Sequence, residues 1–230
     1  MSNLAIIPAR GGSKRIPRKN IKPFLGKPII AYSIELALES GLFDEVMVST
    51  EDDEIADVAR DFGASVPFMR SAETADDYAG LPEVMLEVLE EYNNSKNRLF
   101  DYVCCILPTA PLICQKHLKR AYEMISSGNF DAVLPVTAFS FPILRSVRFN
   151  DEGFLVINWP DHFEKRSQDL PKNYHDTGTF YWVKGEKFMQ DGELFPPRST
   201  GIELEETEIQ DIDTETDWKL AEIKYQYLYG

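Results

Sequence analysis

The sequence lacks several features that would assign it to common protein classes. None of its apolar runs approaches the roughly 20 residues that span a bilayer, and no basic segment with a long apolar stretch marks a secretory signal. The three cysteines include no CxxC pair, and the three histidines form no cluster typical of a zinc site. We therefore expect a cytoplasmic protein with reduced thiols and no membrane contact.

Positive charge is also scarce, with 24 Lys and Arg against 38 Asp and Glu and a formal net charge of −14. Binding to nucleic acid requires many cations that neutralise phosphates, so no nucleic acid partner is expected. The cations are concentrated, because residues 1–34 contain seven Lys or Arg and no acidic residue. Residues 199–218 show the reverse, with eight acidic residues and no basic one. A focused positive segment on an acidic protein indicates a small, highly charged anion as the ligand.

Hydrophobic periodicity predicts strands and helices that alternate along most of the chain. The predicted strands cover residues 4–8, 45–49, 102–107, 132–136 and 178–183. The predicted helices cover residues 28–39, 52–62, 81–92, 117–125 and 214–229. This alternation predicts a three-layer, Rossmann-like α/β fold with a mostly parallel sheet. The 230 residues are enough for a single domain, residues 1–230.

The alternation is interrupted between residues 137 and 173. Here aromatic side chains such as Phe139, Phe141, Trp159 and Phe163 are scattered among polar residues without a regular period. Apolar surface of this kind on a polar background often packs against another subunit. We interpret residues 137–173 as an inserted arm and expect it to form the contact of a homodimer.

A loop rich in glycine and cations follows the first predicted strand directly. Gly11 and Gly12 allow the backbone to turn so that its N–H groups approach an anion. Arg10, Lys14 and Lys19 add charge-assisted hydrogen bonds to phosphate oxygens. The patterns GxxxxGK[ST] and GxGxxG do not occur, which disfavours P-loop NTPases and ordinary dinucleotide-binding domains. We interpret the loop as a cradle for a triphosphate.

Two aspartates stand two positions apart near the C-terminus. If Asp211 and Asp213 lie in a strand, both carboxylates point to one side and can reach one cation. Mg²⁺ suits such a pair because it is usually held by one or two carboxylates together with phosphate oxygens and water. On residue types alone, a solvated acidic edge is the more common explanation of such a run.

Segments along most of the chain, from residue 4 to about residue 220, resemble the sugar cytidylyltransferases that activate N-acetylneuraminic, legionaminic and pseudaminic acids. The matching segments occur in the family's order and are residues 9–14, 19–20, 26–28, 49–55, 63–64, 70–77, 108–111, 166–178 and 211–217. The resemblance implies a fold of the nucleotide-diphospho-sugar transferase type. It also implies transfer of CMP from CTP to the anomeric hydroxyl of a nine-carbon acidic sugar, with release of pyrophosphate, for glycosylation of surface glycans or flagellin.

The same resemblance implies roles for individual residues, with Mg²⁺ as the cofactor. Arg10 and Lys14 would act as catalytic residues that hold the triphosphate and stabilise the departing pyrophosphate. Asp211 and Asp213 would bind Mg²⁺. The resemblance therefore favours a metal site over the solvated acidic edge that the residue types alone suggest. The implied nucleotide contacts are Gly11, Gly12, Ser13, Lys19, Asn20, Arg70, Asp77, Pro108 and Thr109. The implied sugar contacts are Arg166, Gln168, His175 and Asp176.

Residues 174–178 and Leu107 distinguish this chain from the N-acetylneuraminate branch. That branch has an Arg-Pro-Asn-Gly type of segment where this chain has Tyr-His-Asp-Thr-Gly, and a glutamine where this chain has Leu107. Replacing an arginine by His175 removes a bidentate donor, so a different sugar is expected. The segment looks most similar to the pseudaminic acid branch, with N-acetylneuraminic, legionaminic and 3-deoxy-octulosonic acids as alternatives.

Two other functions remain open on the sequence. One is a nucleotide-binding or regulatory module that has lost catalysis, which the intact Arg10, Lys14, Asp211 and Asp213 argue against. The other is a hexose-1-phosphate nucleotidyltransferase, whose glycine-rich opening usually has a different order of glycine and arginine. A comparison of turnover with CTP, UTP and dTTP separates both from a cytidylyltransferase.

Overall fold

The computed structural model describes residues 1–76 and 78–230. Its strands are β1 (Asn3–Pro8), β2 (Pro23–Phe24), β3 (Lys27–Pro28), β4 (Glu45–Ser49), β5 (Tyr102–Ile106), β6 (Ala132–Ala138), β7 (Val147–Phe149), β8 (Leu155–Ile157), β9 (Tyr174–Asp176), β10 (Phe180–Lys184) and β11 (Ser199–Glu203). Its α-helices are α1 (Ile29–Ser40), α2 (Asp53–Asp61), α3 (Leu81–Lys96), α4 (Gln115–Ser126), α5 (Pro160–Phe163), α6 (Gly185–Asp191) and α7 (Glu215–Tyr229). Short 3₁₀ helices cover Lys19–Ile21, Ile143–Arg145, Ser167–Asp169 and Glu206–Glu208.

Seven of the described strands form one sheet in the order β11-β6-β10-β5-β1-β4, with β9 paired to β6. β1 pairs in parallel with both β4 and β5, and β11 pairs in parallel with β6. β10 is antiparallel to β5 and β6, and β9 is antiparallel to β6. The prediction of a mostly parallel α/β sheet is therefore confirmed, with β9 and β10 as antiparallel members.

Helices cover both faces of this sheet and produce the three predicted layers. In β1, Ala5 and Ile7 face a cluster that contains residues of α1, α2 and α4. Leu4 and Ile6 face the opposite cluster, which contains residues of α3 and α6. Successive side chains of a strand point to opposite faces, so a strand buried on both sides is apolar throughout. This explains why residues 4–8 of β1 and the whole of β5 are continuous apolar runs.

Local signals set the ends of several helices. The Asp52 side chain accepts a 3.0 Å hydrogen bond from the backbone N–H of Ile55 and so caps the start of α2. The Thr214 and Asp217 side chains form a capping box at the start of α7. Gly41 follows α1 with a φ of 67°, a left-handed conformation that glycine adopts without strain.

After β6 ends at Ala138, the chain leaves the main sheet and returns to it at β9, so most of the predicted arm lies outside the sheet. The arm contains the short hairpin of β7 and β8, and α5 follows it. Several large apolar side chains here are exposed, among them Phe141, Phe149, Phe154, Leu155 and Trp159. None of the described helices combines the length and apolar character needed to cross a bilayer.

Candidate active site

A cavity of about 550 Å³ opens where β1 and β5 end and α3 begins. In open α/β sheets, ligands characteristically bind beyond the carboxyl ends of the strands. Eight of the predicted catalytic and nucleotide-binding residues line this cavity, namely Arg10, Ser13, Lys14, Lys19, Asn20, Arg70, Pro108 and Thr109. The fold therefore brings three distant segments of the chain to one concave surface. Asp77, another predicted nucleotide contact, lies outside the described residues.

Hydrogen bonds hold the basic loop in a defined shape. The buried Asn20 side chain donates to the carbonyl oxygen of Arg10 at 2.9 Å, which closes the loop on itself. Arg10 in turn donates from its guanidinium to the carbonyl oxygen of Asp76 at 2.8 Å. An ordered loop of this kind presents cations to a ligand with little entropy left to lose on binding.

Arg18 anchors the loop to the start of α2. Its backbone has a left-handed φ of 54°, and its guanidinium donates to Asp52 at 2.8 Å and also bonds Glu54. The hydrogen bond and charge of Arg18 lower the pKa of Asp52 to about 2. Arg18 and Asp52 were not predicted as a pair, because they are distant in sequence. The sequence did contain a hint of this pair. Arg18 is a cation of the loop with no predicted role, and Asp52 is a predicted helix cap after β4.

The two glycines of the loop have different surroundings. The Gly11 N–H donates to Glu51 at 2.7 Å, so it does not face an open anion site as the sequence predicted. A Cβ at Gly11 would lie 2.5 Å from the Asp52 carboxylate, whereas a Cβ at Gly12 would meet nothing within 4 Å. Neither glycine lines the cavity. The difference arises because the carboxylates that follow β4 pack directly against Gly11.

Arg70 is a buried arginine that faces the same cavity. Its Nε donates to the Ser49 hydroxyl at 3.0 Å, and its backbone N–H donates to the carbonyl oxygen of Thr50 at 2.9 Å. The bond from Nε fixes the guanidinium against the end of β4, and the backbone bond fixes the residue beside it. Burial lowers the pKa of Arg70, although the Glu51 charge opposes the shift. A desolvated guanidinium interacts strongly with any polar ligand group that reaches it.

Asp211 and Asp213 do not lie in a strand, which corrects the sequence prediction. They belong to an irregular segment between the Glu206–Glu208 turn and α7. Ile212 between them is fully buried beside Phe24 and Trp218, while Asp211 is exposed and Asp213 half-buried. Burial of Ile212 therefore leaves both carboxylates on the outer side, although no strand is present.

The acidic segment contacts the basic loop directly. Lys19 donates from its ammonium to the carbonyl oxygen of Ile212 at 2.7 Å, and this nitrogen lies 3.8 Å from the Asp213 carboxylate. Arg15 pairs with Asp213 at 2.8 Å. Burial lowers the pKa of Lys19, while the charges of Asp213 and Asp211 oppose the shift. Desolvation, followed by repulsion from Asp213, raises the pKa of Asp211.

The donor set suits Mg²⁺ better than a transition metal. No group of three or more His, Cys, Asp or Glu side chains is placed to hold a metal within residues 1–76 and 78–230. Mg²⁺ does not require such a group, because phosphate oxygens and water complete its shell beside one or two carboxylates. A cation beside Asp211 would also offset the repulsion between the two carboxylates. Asp211 and Asp213 are the residues that would hold it.

A second, smaller cavity of about 220 Å³ connects the acidic segment with a predicted sugar contact. His175 and Asp211 both line it, together with Phe139, Gln210 and Lys224. The His175 ring lies 4.8 Å from the Phe139 ring, and its Nδ1 lies 2.8 Å from the carbonyl oxygen of Asp176. β9 positions His175 here because it pairs with the end of β6. His175 and Asp211 therefore share one part of the surface.

Comparison with known proteins shows the family of the chain. The model of the cytidylyltransferase family matches residues 4–215. The chain belongs to the cytidylyltransferase family. It is 44% identical over 226 residues to a pseudaminic acid cytidylyltransferase of Campylobacter jejuni, covering 98% of this chain and 97% of that protein. It is 32% identical to a CMP-N,N'-diacetyllegionaminic acid synthase of Legionella pneumophila, covering 96% of this chain and 95% of the other.

A solved structure shows the same fold. A CMP:2-keto-3-deoxy-manno-octonic acid synthetase complexed with CTP superimposes with a TM-score of 0.69, covering 99% of each chain. The two sequences are only 18% identical, so this likeness concerns the fold alone. The family and the fold that the sequence resemblance implied are thus both confirmed.

Asp176 of this cytidylyltransferase has partners within the protein. One carboxylate oxygen accepts a 2.9 Å hydrogen bond from the Gly178 N–H, and the other bonds the Tyr181 hydroxyl. Burial and this bond raise the pKa of Tyr181. Asp176 therefore shapes the turn into β10, and its predicted contact with the sugar stays a prediction.

Arg166 and Gln168 are not brought to the cavities of this cytidylyltransferase. Both are exposed on the arm, at the 3₁₀ helix Ser167–Asp169, and neither lines the two cavities described above. Arg166 lies 3.4 Å from Asp169, its neighbour along the chain. Their predicted role in sugar binding remains a prediction that depends on where the arm packs.

Proposed function

We propose that the protein transfers CMP from CTP to the anomeric hydroxyl of pseudaminic acid, releasing CMP-sugar and pyrophosphate. The main support for this reaction is a direct contact between two segments. Lys19 of the basic loop donates a hydrogen bond to the carbonyl oxygen of Ile212 in the acidic segment. This contact places cations suited to a triphosphate beside the two carboxylates suited to Mg²⁺. Family membership and the relatives that act on nonulosonic acids support the same reaction.

Arg10 and Lys14 would hold the triphosphate in the larger cavity. Both line it, and their charge-assisted hydrogen bonds would strengthen as negative charge develops on the leaving pyrophosphate. Arg70 and Thr109 line the same cavity and would contact the rest of the nucleotide. Mg²⁺, when bound at Asp211 and Asp213, supplies charge neutralisation at the phosphates. Alignment of the two substrates accounts for much of such catalysis, because transfer requires little covalent work from the protein.

The sugar would bind on the other side of Asp211. The smaller cavity has both apolar and polar walls, with Phe139 and His175 on one side and Lys224 on another. His175 lies at the position that distinguishes the pseudaminic acid branch, so we assign it to recognition of the sugar. Its ring offers one directional hydrogen bond where an arginine would offer a planar fork.

The arm would join two copies of the chain into a homodimer. Its exposed apolar side chains include Phe149 at 73% and Phe154 at 65% of full exposure, which is unusual for a surface without a partner. A symmetric pair would bury these side chains on both copies. Sedimentation equilibrium at micromolar concentration tests this. A single species of 26.3 kDa would overturn the dimer.

The cytosol is the compartment that we propose for the protein. Cys104 and Cys105 are buried free thiols, and Cys114 is a half-buried one. Thiols in this state are typical of a reducing compartment. Fractionation of source cells with an antibody against the chain checks the location.

The test of the proposed reaction is pyrophosphate release with CTP and Mg²⁺, offering pseudaminic, N-acetylneuraminic and legionaminic acids in parallel. We expect turnover with pseudaminic acid, none of comparable rate with UTP or dTTP, and loss of turnover with EDTA. Turnover with one of the other two sugars would keep the chemistry and overturn the assignment of His175. No turnover with any of the three would leave a nucleotide-binding protein without catalysis and would overturn the proposal.

A further inference from the structure

A chain of three polar side chains lies outside the proposed site. The Cys114 sulfur is 3.6 Å from Nδ1 of His117, and Nε2 of His117 is 3.3 Å from a carboxylate oxygen of Glu208. His117 is buried, with only 6% of its surface exposed. A thiol, an imidazole and a carboxylate in this order form the arrangement that activates cysteine nucleophiles.

The position of Cys114 in the fold favours its ionised form. Cys114 directly precedes α4, so the free N–H groups at the helix start favour a negative charge on its sulfur. The hydrogen bond from His117 lowers the pKa of the Cys114 thiol, assisted by the His117 charge and by the backbone N–H groups of His117 and Lys116. Partial burial opposes this shift without reversing it.

Small molecules can reach this thiol. Cys114 is half-buried and lines a cavity of about 220 Å³ between α1, α4 and α7. The other charged or titratable groups that share this cavity are Lys27, Tyr32, Glu35, Glu39, Tyr225 and Tyr229. Burial and the Cys114 charge raise the pKa of Tyr229 to about 12, so Tyr229 stays neutral near pH 8.

The other two cysteines have opposite properties. Cys104 and Cys105 lie inside β5 with no exposed surface. Burial raises the pKa of the Cys105 thiol to about 12, and it also raises the pKa of the Cys104 thiol. A buried thiol of this kind is inert, so both serve as internal controls within the same chain.

We propose that Cys114 is a modification site whose thiolate reacts with small hydroperoxides. The sulfur attacks one oxygen of the peroxide, an S–O bond forms, and the O–O bond breaks. The sulfur loses two electrons and becomes a sulfenic acid, while the peroxide is reduced. The leaving group is hydroxide for hydrogen peroxide and an alkoxide for an organic hydroperoxide. It takes the proton of the His117 imidazolium and departs as water or as the alcohol, so atoms and charge balance.

Oxidation at this position would reach the acidic segment through one contact. Glu208, which His117 holds, stands three residues before Asp211. The step removes a proton from His117, so the charge-assisted part of its 3.3 Å contact with Glu208 is lost and the Glu206–Glu208 turn is held less firmly. We expect oxidation to slow CMP transfer, a consequence that rests on the proposed function.

The first experiment measures the alkylation rate of the folded protein with iodoacetamide between pH 5.5 and 9, followed by peptide mass spectrometry. Cys114 should react alone and should keep reacting below pH 8, where an ordinary thiol is largely protonated. Hydrogen peroxide with dimedone should then label the same residue. Denatured protein should react at all three cysteines. Equal labelling of the three in the folded protein, or a Cys114 profile like that of free cysteine, would overturn the proposal.

Two variants test the role of His117. His117→Gln should slow alkylation at pH 7 about tenfold, the change that one pKa unit produces in the thiolate fraction. Because His117 is buried, Glu208→Gln provides a milder second variant with a smaller slowing in the same direction. Cys114→Ser should abolish dimedone labelling. An unchanged rate in both Glu208→Gln and His117→Gln would show that the three side chains do not act together.

The activity measurement separates this proposal from the proposed function. After peroxide treatment, wild-type protein should lose CMP transfer while Cys114→Ser retains it. Sulfenic acid without a change in rate would keep the modification site and remove its link to Asp211. If untreated protein shows no transfer at all, the proposed function fails, and the labelling experiments still decide the chemistry of Cys114.

Discussion

The ammonium of Lys19 donates a 2.7 Å hydrogen bond to the carbonyl oxygen of Ile212, 193 positions further along the chain. Ile212 is buried between the two candidate Mg²⁺ ligands. One lysine thus holds the basic loop and the acidic segment in register while its charge balances Asp213. This contact joins the loop to the backbone between the two candidate ligands, beside the ion pair of Arg15 with Asp213.

Replacing Lys19 should therefore affect catalysis more than replacing a nearby lysine. We expect Lys19→Gln to lower kcat/KM on the order of 100-fold, as is typical when one preorganised donor is removed. Lys22→Gln is the matched control, because Lys22 belongs to the same loop but pairs with Glu215 at 2.6 Å. Steady-state kinetics with CTP varied measures both variants. Similar losses in the two would indicate a general charge effect and contradict the role of Lys19.

The two loop glycines should respond differently to alanine. A Cβ at Gly11 would come within 2.5 Å of the Asp52 carboxylate, so Gly11→Ala forces the loop away from α2. We expect a loss of about 1–3 kcal/mol in the free energy of unfolding, typical of overpacking, and reduced activity. Gly12→Ala meets nothing within 4 Å and should be tolerated. Urea unfolding of both variants is the check, and equal stability of the two would contradict the close packing of Asp52 on Gly11.

The pair of Arg18 and Asp52 should make stability depend on acid pH. Arg18 lowers the pKa of Asp52 from 3.8 to about 2, so the folded state favours the carboxylate. This contribution is fully present above pH 4 and is lost as the pH falls toward 2. At pH 7, Asp52→Asn should lower the free energy of unfolding by about 1–2 kcal/mol, while asparagine still caps α2.

Asp57→Asn is the control for this effect, because Asp57 lies on the same helix and forms an exposed pair with Arg60. Exposed pairs contribute little to stability. Chemical unfolding of wild type and both variants from pH 2 to pH 7 gives the comparison. A gap between wild type and Asp52→Asn that persists unchanged at pH 2 would argue against the ion pair as its cause.

Asp211 should matter for turnover but not for folding. Its side chain is exposed and belongs to none of the apolar clusters, so Asp211→Asn should leave the CD spectrum unchanged. It should reduce Mg²⁺-dependent turnover by at least about 100-fold, since a lost ligand leaves phosphate charge uncompensated. Glu205→Gln, an exposed change in the same acidic run, should have little effect. Normal turnover in Asp211→Asn would remove this residue from the site.

His175 should influence the sugar rather than the nucleotide. We expect His175→Asn to raise KM for the sugar about tenfold and to leave KM for CTP unchanged, because His175 lines only the smaller of the two cavities. His162→Asn, a change on α5 in the arm and away from both cavities, is the control. A rise in KM for CTP instead would indicate that His175 acts through the loop or the acidic segment.

The main helices and strands were predictable because they bury regular apolar patterns. Residues 102–107 are apolar throughout, and the strand Tyr102–Ile106 lies in the centre of the sheet. Strand Ser199–Glu203 was missed because it has small and polar residues and pairs at the sheet edge. Helix Gly185–Asp191 was missed because it is only seven residues long. Edge strands and short helices depend on neighbours that the local sequence does not specify.

The candidate site shows the same division between local and tertiary information. The sequence by itself determined the family, the fold class and the residue types of the basic loop and the acidic pair, because these lie in short, ordered segments. Only the tertiary structure decided three contacts. Glu51 accepts a hydrogen bond from the Gly11 N–H, Asp176 accepts one from the Gly178 N–H in a turn, and Lys19 donates one to the carbonyl oxygen of Ile212. These contacts join residues from separate segments, and their partners are chosen by packing across the sheet rather than by spacing along the chain.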